Sequence, residues 1–288
     1  MATSDPSQSE NTYILGDSSA EMVRLIEQDR HFTRAMGGLL PEQTDLSSIH
    51  RVLDVGCGPG GWALELAQAY PHMQVVGIDI SARMIDYANA QARASGLDNA
   101  SFLAKNALDP FDFPEGSFDL VNARFIEGFI PTVAWPAILQ EFVRITRPGG
   151  IIRLTDCEWG MTNSFAYQKL LGISIHAMQV AGLSHSPDGR NYAITPLLSR
   201  FLSEAGCVNI KERAHSMDFS AGTEAHLGSF QDFSIGFQLM QPFQVNTGVT
   251  TQQEVEQLHR QLTVEMLDSD FRGIMYFLTA WGEKPQAT

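Results

Sequence analysis

Residues 52–62 read Val-Leu-Asp-Val-Gly-Cys-Gly-Pro-Gly-Gly-Trp, and among them Asp54 has the strongest chemical meaning. A carboxylate closing an apolar run is costly near a core unless its hydrogen bonds are returned, so Asp54 is expected to meet a ligand. Gly56, Gly58 and Gly60 permit a sharp turn and let a small molecule lie directly on the backbone. Gly56, Gly58 and Gly61 also satisfy the G-x-G-x-x-G dinucleotide fingerprint, with Asp79 a suitable distance downstream. A pyrophosphate wants N–H donors and no negative charge close by. This loop instead contains Pro59, which has no N–H, and follows an anionic Asp54. A ligand with a cationic amine suits it better; a dinucleotide and a purely structural glycine turn are the alternatives.

Asp79 closes Val75-Val-Gly-Ile-Asp-Ile-Ser81, where a carboxylate can hold two vicinal ribose hydroxyls. Capping the following helix is its other reading, although Ser81 can do that instead. Ile80 would lie against an adenine face, and Asn106 with Ala107 could read the adenine edge. Tyr13 could close over the same ligand or simply pack. For proton transfer the candidates are His176, on an amphipathic helix, and Asp156 and Glu158, just after an apolar strand; structural roles compete in each case. Arg124 could hold an acceptor carboxylate bidentately or pair with Glu127. Trp159 and Phe233, with Phe165, Phe230, Phe237 and Met240, could line an apolar pocket. His, Asp and Glu are too scattered to suggest a metal site, and none is expected.

The elements that must position these residues alternate in the manner of a doubly wound α/β fold. Strands are expected at 51–55, 74–79, 101–104, 118–122 and 151–155, the last entered through an Arg147-Pro-Gly-Gly150 turn. Helices are expected near 61–70, 82–95 and 133–146. Beyond these come helices at 163–182 and 195–205, a strand near 207–216, a mostly helical stretch at 222–267 and a closing strand near 272–281. The pattern divides the chain into a polar, disordered segment 1–11, an N-terminal helical cap 12–45, an α/β ligand-binding core 46–160, a helical lid 161–193, and a completion of the core, 194–288, that carries the 222–267 insertion.

With the glycine loop, Asp79, Asn106-Ala107, Phe118-Asp-Leu-Val-Asn122 and Arg147-Pro-Gly-Gly150 in hand, the chain resembles the class I S-adenosylmethionine-dependent methyltransferases. The likeness is greatest to the menaquinone/ubiquinone-methyltransferase-like group acting on small molecules, and it covers residues 50 to 160 best. It implies a mostly parallel, seven-stranded, Rossmann-like sheet whose last strand is antiparallel. It also implies that Asp54, Gly56, Gly58 and Gly60 cradle the methionine part of S-adenosylmethionine, that Asp79 holds ribose, and that Asn122 belongs to the cofactor site. The usual adenine-reading Asp-Ala pair is Asn106-Ala107 here. The histidine that many members carry after the fourth strand is replaced by Arg124-Phe-Ile-Glu127-Gly128.

Composition bounds the partners. The 288 residues include 19 basic and 33 acidic side chains, a formal charge of -14 that repels phosphate backbones and anionic membranes. Cys57, Cys157 and Cys207 lack C-x-x-C spacing and read as reduced. No apolar run approaches the ~20 residues that span a bilayer. The expectation is a cytoplasmic monomer or homodimer that methylates an O, N or C nucleophile of a small apolar or aromatic molecule, without nucleic acid or membrane as partner. An NAD(P)-dependent oxidoreductase, and a methyltransferase fold turned to other chemistry such as cyclisation, are the competing readings.

Overall fold

The computed structural model describes residues 14–286; Tyr13 and segment 1–11 lie outside the described residues. Seven strands form one sheet: β1 Arg51–Val55, β2 Gln74–Asp79, β3 Ala100–Ala104, β4 Phe118–Arg124, β5 Thr146–Thr162, β6 Val208–Asp218 and β7 Gly273–Glu283. Their order is β3-β2-β1-β4-β5-β7-β6. The first five run parallel, and β7 lies antiparallel to both β5 and β6. This is the mostly parallel seven-stranded α/β sheet that the sequence led us to expect.

The central strands are continuous apolar runs because helices cover both faces of the sheet. Val52, Leu53, Val55, Leu120 and Val121 are all fully buried. The helices are α1 Ser19–Ala35, α2 Gly61–Ala69, α3 Ala82–Ala94, α4 Trp135–Ile145, α5 Phe165–Val180, α6 Leu198–Glu204, α7 His226–Asn246 and α8 Gln252–Met266. Hydroxyl caps start several of them, with Ser18, Ser81, Ser164 and Thr251 each accepting a main-chain N–H from the first turn. The 222–267 stretch is therefore two helices, α7 and α8. Helix α1 packs on α7, and α8 on both α5 and α7. Among the described residues no helix is long and apolar enough to cross a membrane.

Two differences from the sequence reading bear on the site. Arg147-Pro-Gly-Gly150 is not a turn before β5 but an interruption within it, where the pairing with β4 jumps from Phe118–Thr146 to Leu120–Ile151. Gly149, at φ +72°, absorbs that bulge. At its other end β5 runs past Thr155 to Thr162, because β7 continues to pair with it through a second register shift between Glu158 and Met161. Asp156, Glu158 and Trp159 thus stand on a strand rather than a loop.

Candidate active site

Strand order reverses between β1 and β4, and a crevice opens beyond the carboxyl ends of strands at such a point. A cavity of about 220 Å³ lies there, bringing together Asp54, Gly56, Gly58, Asp79, Ile80, Asn106, Ala107, Arg124, Asp156, Trp159 and Phe233 from the sequence-derived set. Gly56 and Gly58 take left-handed φ values of +69° and +53°, which a side chain would resist. The Asp79 carboxylate accepts the Gly58 and Ser81 N–H groups, each at 2.9 Å, and so fixes the loop beside it. Burial raises its pKa against those two hydrogen bonds. Ile80 and Leu108, 42% and 39% exposed, present apolar surface to the cavity. Asn106 Oδ1 already accepts the Leu108 N–H at 3.0 Å.

Asp54 is almost wholly buried, and burial pushes its carboxyl up to about 7 against the opposing pull of Arg124 and Asn122. Asn122 Nδ2 donates to Asp54 Oδ1 at 2.7 Å. The other end of that amide accepts from Arg153 Nη1 at 2.8 Å, and Arg153 Nε donates to Glu42 Oε1 at 2.7 Å. Asn122 is therefore not a cavity residue: fully buried, it holds Asp54 from behind. Gly60 also departs from expectation. It caps α2 at φ +84°, and a Cβ there would come within 2.9 Å of Ala88 Cβ and of the Phe102 ring, so it serves helix–sheet packing rather than the cavity. Arg124 lines the cavity, but its guanidinium donates to Asp29 and Thr33 of α1 and lies 5.6 Å over the Trp62 ring. It ties α1 to the core instead of waiting for an acceptor carboxylate.

The opposite half of the cavity is aromatic and acidic. The Trp159 ring lies 5.2 Å from Tyr192 and 5.6 Å from Phe237, with Phe233 at 6.4 Å. Asp156 accepts the main-chain N–H of Cys157 at 2.9 Å, and burial raises its carboxyl to about 7. Glu158 points elsewhere: its two oxygens accept from the Tyr192, Ala193 and Thr195 main chain and from Thr195 Oγ1 at 3.0 Å, which locks the segment carrying Tyr192. His176 stands on the exposed face of α5, away from the cavity, because the buried face of that helix is taken by Leu171, Ile175 and Met178. Above the cavity, Arg24 of α1 pairs with Asp232 of α7 at 2.7 Å and with Glu21 at 2.7 Å.

Comparison with known proteins shows what the region around this cavity is similar to. Residues 52–150, from β1 to the bulge of β5, match the model for a methyltransferase domain. That stretch is similar to a methyltransferase domain over about a third of the chain. It is 35% identical over 122 residues to demethylmenaquinone methyltransferase of Geobacillus kaustophilus (strain HTA426), covering 42% of this chain and 50% of that protein. It is 29% identical over 150 residues to methyltransferase str3 of Strobilurus tenacellus, covering 51% and 49%. The chain thus spans about half the length of the curated relatives it matches. In fold it is like phosphoethanolamine N-methyltransferase 2 of Haemonchus contortus in complex with S-adenosyl-L-methionine (TM-score 0.58, 17% identity, covering 98% of this chain and 62% of that one). It is also like the [4+2]-cyclase SpnF (TM-score 0.51, 20% identity, covering 94% and 98%).

Sequence reasoning missed several side chains that this region and its flanking helices bring to the cavity. Glu127 read as an ion-pair partner for Arg124, yet it is 2% exposed in a 3-10 turn, lines the cavity, and its Oε1 has no hydrogen-bond partner among the described residues. The cause is Phe125 at φ +56°, a left-handed kink that turns the chain inward directly after β4. Burial, with Asp156 and Glu158 nearby, holds the Glu127 carboxyl well above its usual range. Asp29, Arg24 and Asp232 also line the cavity, and only the assembly of α1 and α7 over the sheet could reveal them.

Proposed function

We propose that this chain transfers a methyl group from S-adenosylmethionine to a small apolar or aromatic acceptor. The observation that carries the reading is a continuous cavity whose one half is the Asp54–glycine–Asp79 crevice and whose other half is the Trp159–Tyr192–Phe233 enclosure. Asp54 would pair with the ammonium of the methionine moiety, which supplies the charge that its burial otherwise lacks. Asp79 keeps lone pairs for ribose hydroxyls, and Ile80 with Leu108 offers apolar faces for adenine. The bound cofactor supplies an activated methyl group on a sulfonium, so alignment and exclusion of water are the protein's main tasks. Helices α1 and α7, joined over the cavity through Arg24 and Asp232 and backed by α8, form a cap suited to keeping it dry.

A dinucleotide fits less well. Asp17, Asp54 and Asp79 all line the crevice, and the Gly58 N–H that a diphosphate would need is already donated to Asp79. Thermal unfolding with S-adenosylhomocysteine and with NAD separates the two. At a hundredfold excess over Kd a ligand selective for the folded state adds ~2.7 kcal/mol, roughly 4–5 °C for a chain of this size. Stabilisation by NAD but not by S-adenosylhomocysteine would overturn the proposal. The likeness to a cyclase keeps non-transfer chemistry as a second reading; tight S-adenosylhomocysteine binding without labelled-methyl transfer to any phenol, amine or enol would favour it.

A further inference from the structure

Two carboxyls in the aromatic half of the cavity have no cation against them among the described residues. Glu127 is 2% exposed and its Oε1 lacks a partner among those residues, while Asp156 is 4% exposed and accepts only main-chain hydrogens, from Cys157 and from Glu127 itself. That last hydrogen bond holds the Asp156 carboxyl against the Glu127 main chain, and the charge of Asp156 acts on the Glu127 carboxyl. The basic groups of the same cavity are engaged elsewhere: Arg24 with Glu21 and Asp232, Arg124 with Asp29, Lys105 with Asp112. Glu158 and Cys157 on β5 and Tyr192, in the loop between α5 and α6, also face the pair, and Asp232 on α7 acts on Cys157; all are acids. Neighbouring like charges in apolar surroundings resist ionising together.

Resting on the methyl-transfer reading above, we propose that Glu127 and Asp156 form a proton-sharing dyad that binds an uncharged, flat O–H acceptor, a phenol or enol, and takes its proton. The flatness follows from the walls, Trp159, Tyr192 and Phe233. The protonated member donates a hydrogen bond to the acceptor and the ionised member receives the O–H proton as the oxygen–methyl bond forms. The carbon–sulfur bond of the methyl donor breaks, its electron pair stays on sulfur, and the proton leaves to solvent after the product. An acceptor bearing a phosphate or carboxylate against the dyad would add a third negative charge without a counterion, so this site rejects it.

The test uses the full chain, with S-adenosylhomocysteine binding checked first and the infrared titration run both with and without that ligand. Infrared difference spectra at pH 7 should show a protonated-carboxyl band of which one component is lost in Glu127→Gln. Asp156→Asn should move the titration of the remaining acid by about one pH unit or more, the mark of coupled groups. Equilibrium binding of 2-naphthol should exceed that of 2-naphthyl phosphate by about tenfold or more, the preference shrinking in the Glu127→Gln/Asp156→Asn double variant, whose folding is checked by its melting midpoint. Identical bands in wild type and Glu127→Gln, independent titrations, or equal or tighter binding of the phosphate ester would overturn the dyad. Failure of the wild-type protein to bind S-adenosylhomocysteine would instead strike the cofactor reading, and the infrared titration, which needs no cofactor, still decides the dyad.

Discussion

Replacing Asp54 with asparagine should stabilise the ligand-free protein at alkaline pH while loosening its hold on the cofactor. Burial raises this carboxyl from 3.8 to about 7. A raised folded-state pKa means that the folded chain keeps a proton which the unfolded chain releases, so the associated stability is complete below about pH 4 and is lost as pH climbs through 7. A rise of about three pH units at ~1.4 kcal/mol each gives a cost of about 4 kcal/mol for holding the ionised group at pH 8. Asparagine keeps an oxygen for the Asn122 amide and removes the charge. Allowing for relaxation around the carboxylate, the variant should gain about 2–4 kcal/mol at pH 8 and much less at pH 5. Urea unfolding at both pH values measures this directly. In the same variant a charge-assisted hydrogen bond to the ligand's ammonium becomes a neutral one, worth a ~10–100-fold weaker Kd for S-adenosylhomocysteine by calorimetry. An asparagine variant no more stable than wild type at pH 8, an equal gain at both pH values, or an unchanged Kd would refute the reasoning.

The chain Glu42–Arg153–Asn122 should respond differently, because Arg153→Met strands a buried carboxylate and an amide oxygen; a loss of ~3–5 kcal/mol in urea unfolding is expected, together with weaker S-adenosylhomocysteine binding. His176→Ala should change stability by less than ~0.5 kcal/mol and leave methyl transfer within about twofold of wild type, as measured by unfolding and a labelled-methyl assay; its side chain is exposed and outside the cavity.

Much of the cofactor half was legible because a doubly wound fold ties chemistry to strand ends. Asp54, Asp79 and Asn106 each follow an apolar run, so their place at the crevice followed from spacing alone. Trp159 and Phe233 were named as large aromatics able to line an apolar pocket, although composition could not say that they share a wall. What escaped notice depended on tertiary geometry. Glu127 sits two residues beyond a left-handed phenylalanine, and nothing in Arg-Phe-Ile-Glu announces that turn. Glu158 and His176 are ordinary candidates by residue type, yet one is consumed by main-chain N–H groups and the other faces outward. Arg153, in the apolar run Ile151-Ile-Arg-Leu-Thr155, gave no hint that its partner lay more than a hundred positions earlier, at Glu42. Gly60 shows the reverse error: a glycine inside a binding motif can be there for the helix behind it.

The buried line from Glu42 through Arg153 and Asn122 to Asp54 also constrains how this protein can diverge. An apolar replacement at 153 leaves one orphaned acid and one orphaned amide, and a change at 42 alone abandons a guanidinium inside the sheet. Drift at any single link should therefore be purged, whereas a joint exchange of the first three for hydrophobic side chains would be tolerated in folding but would free the fourth to swing. Descendants are expected to inherit the quartet as a block, so that a shared pattern at these four widely separated positions would mark kinship more reliably than the glycines beside them.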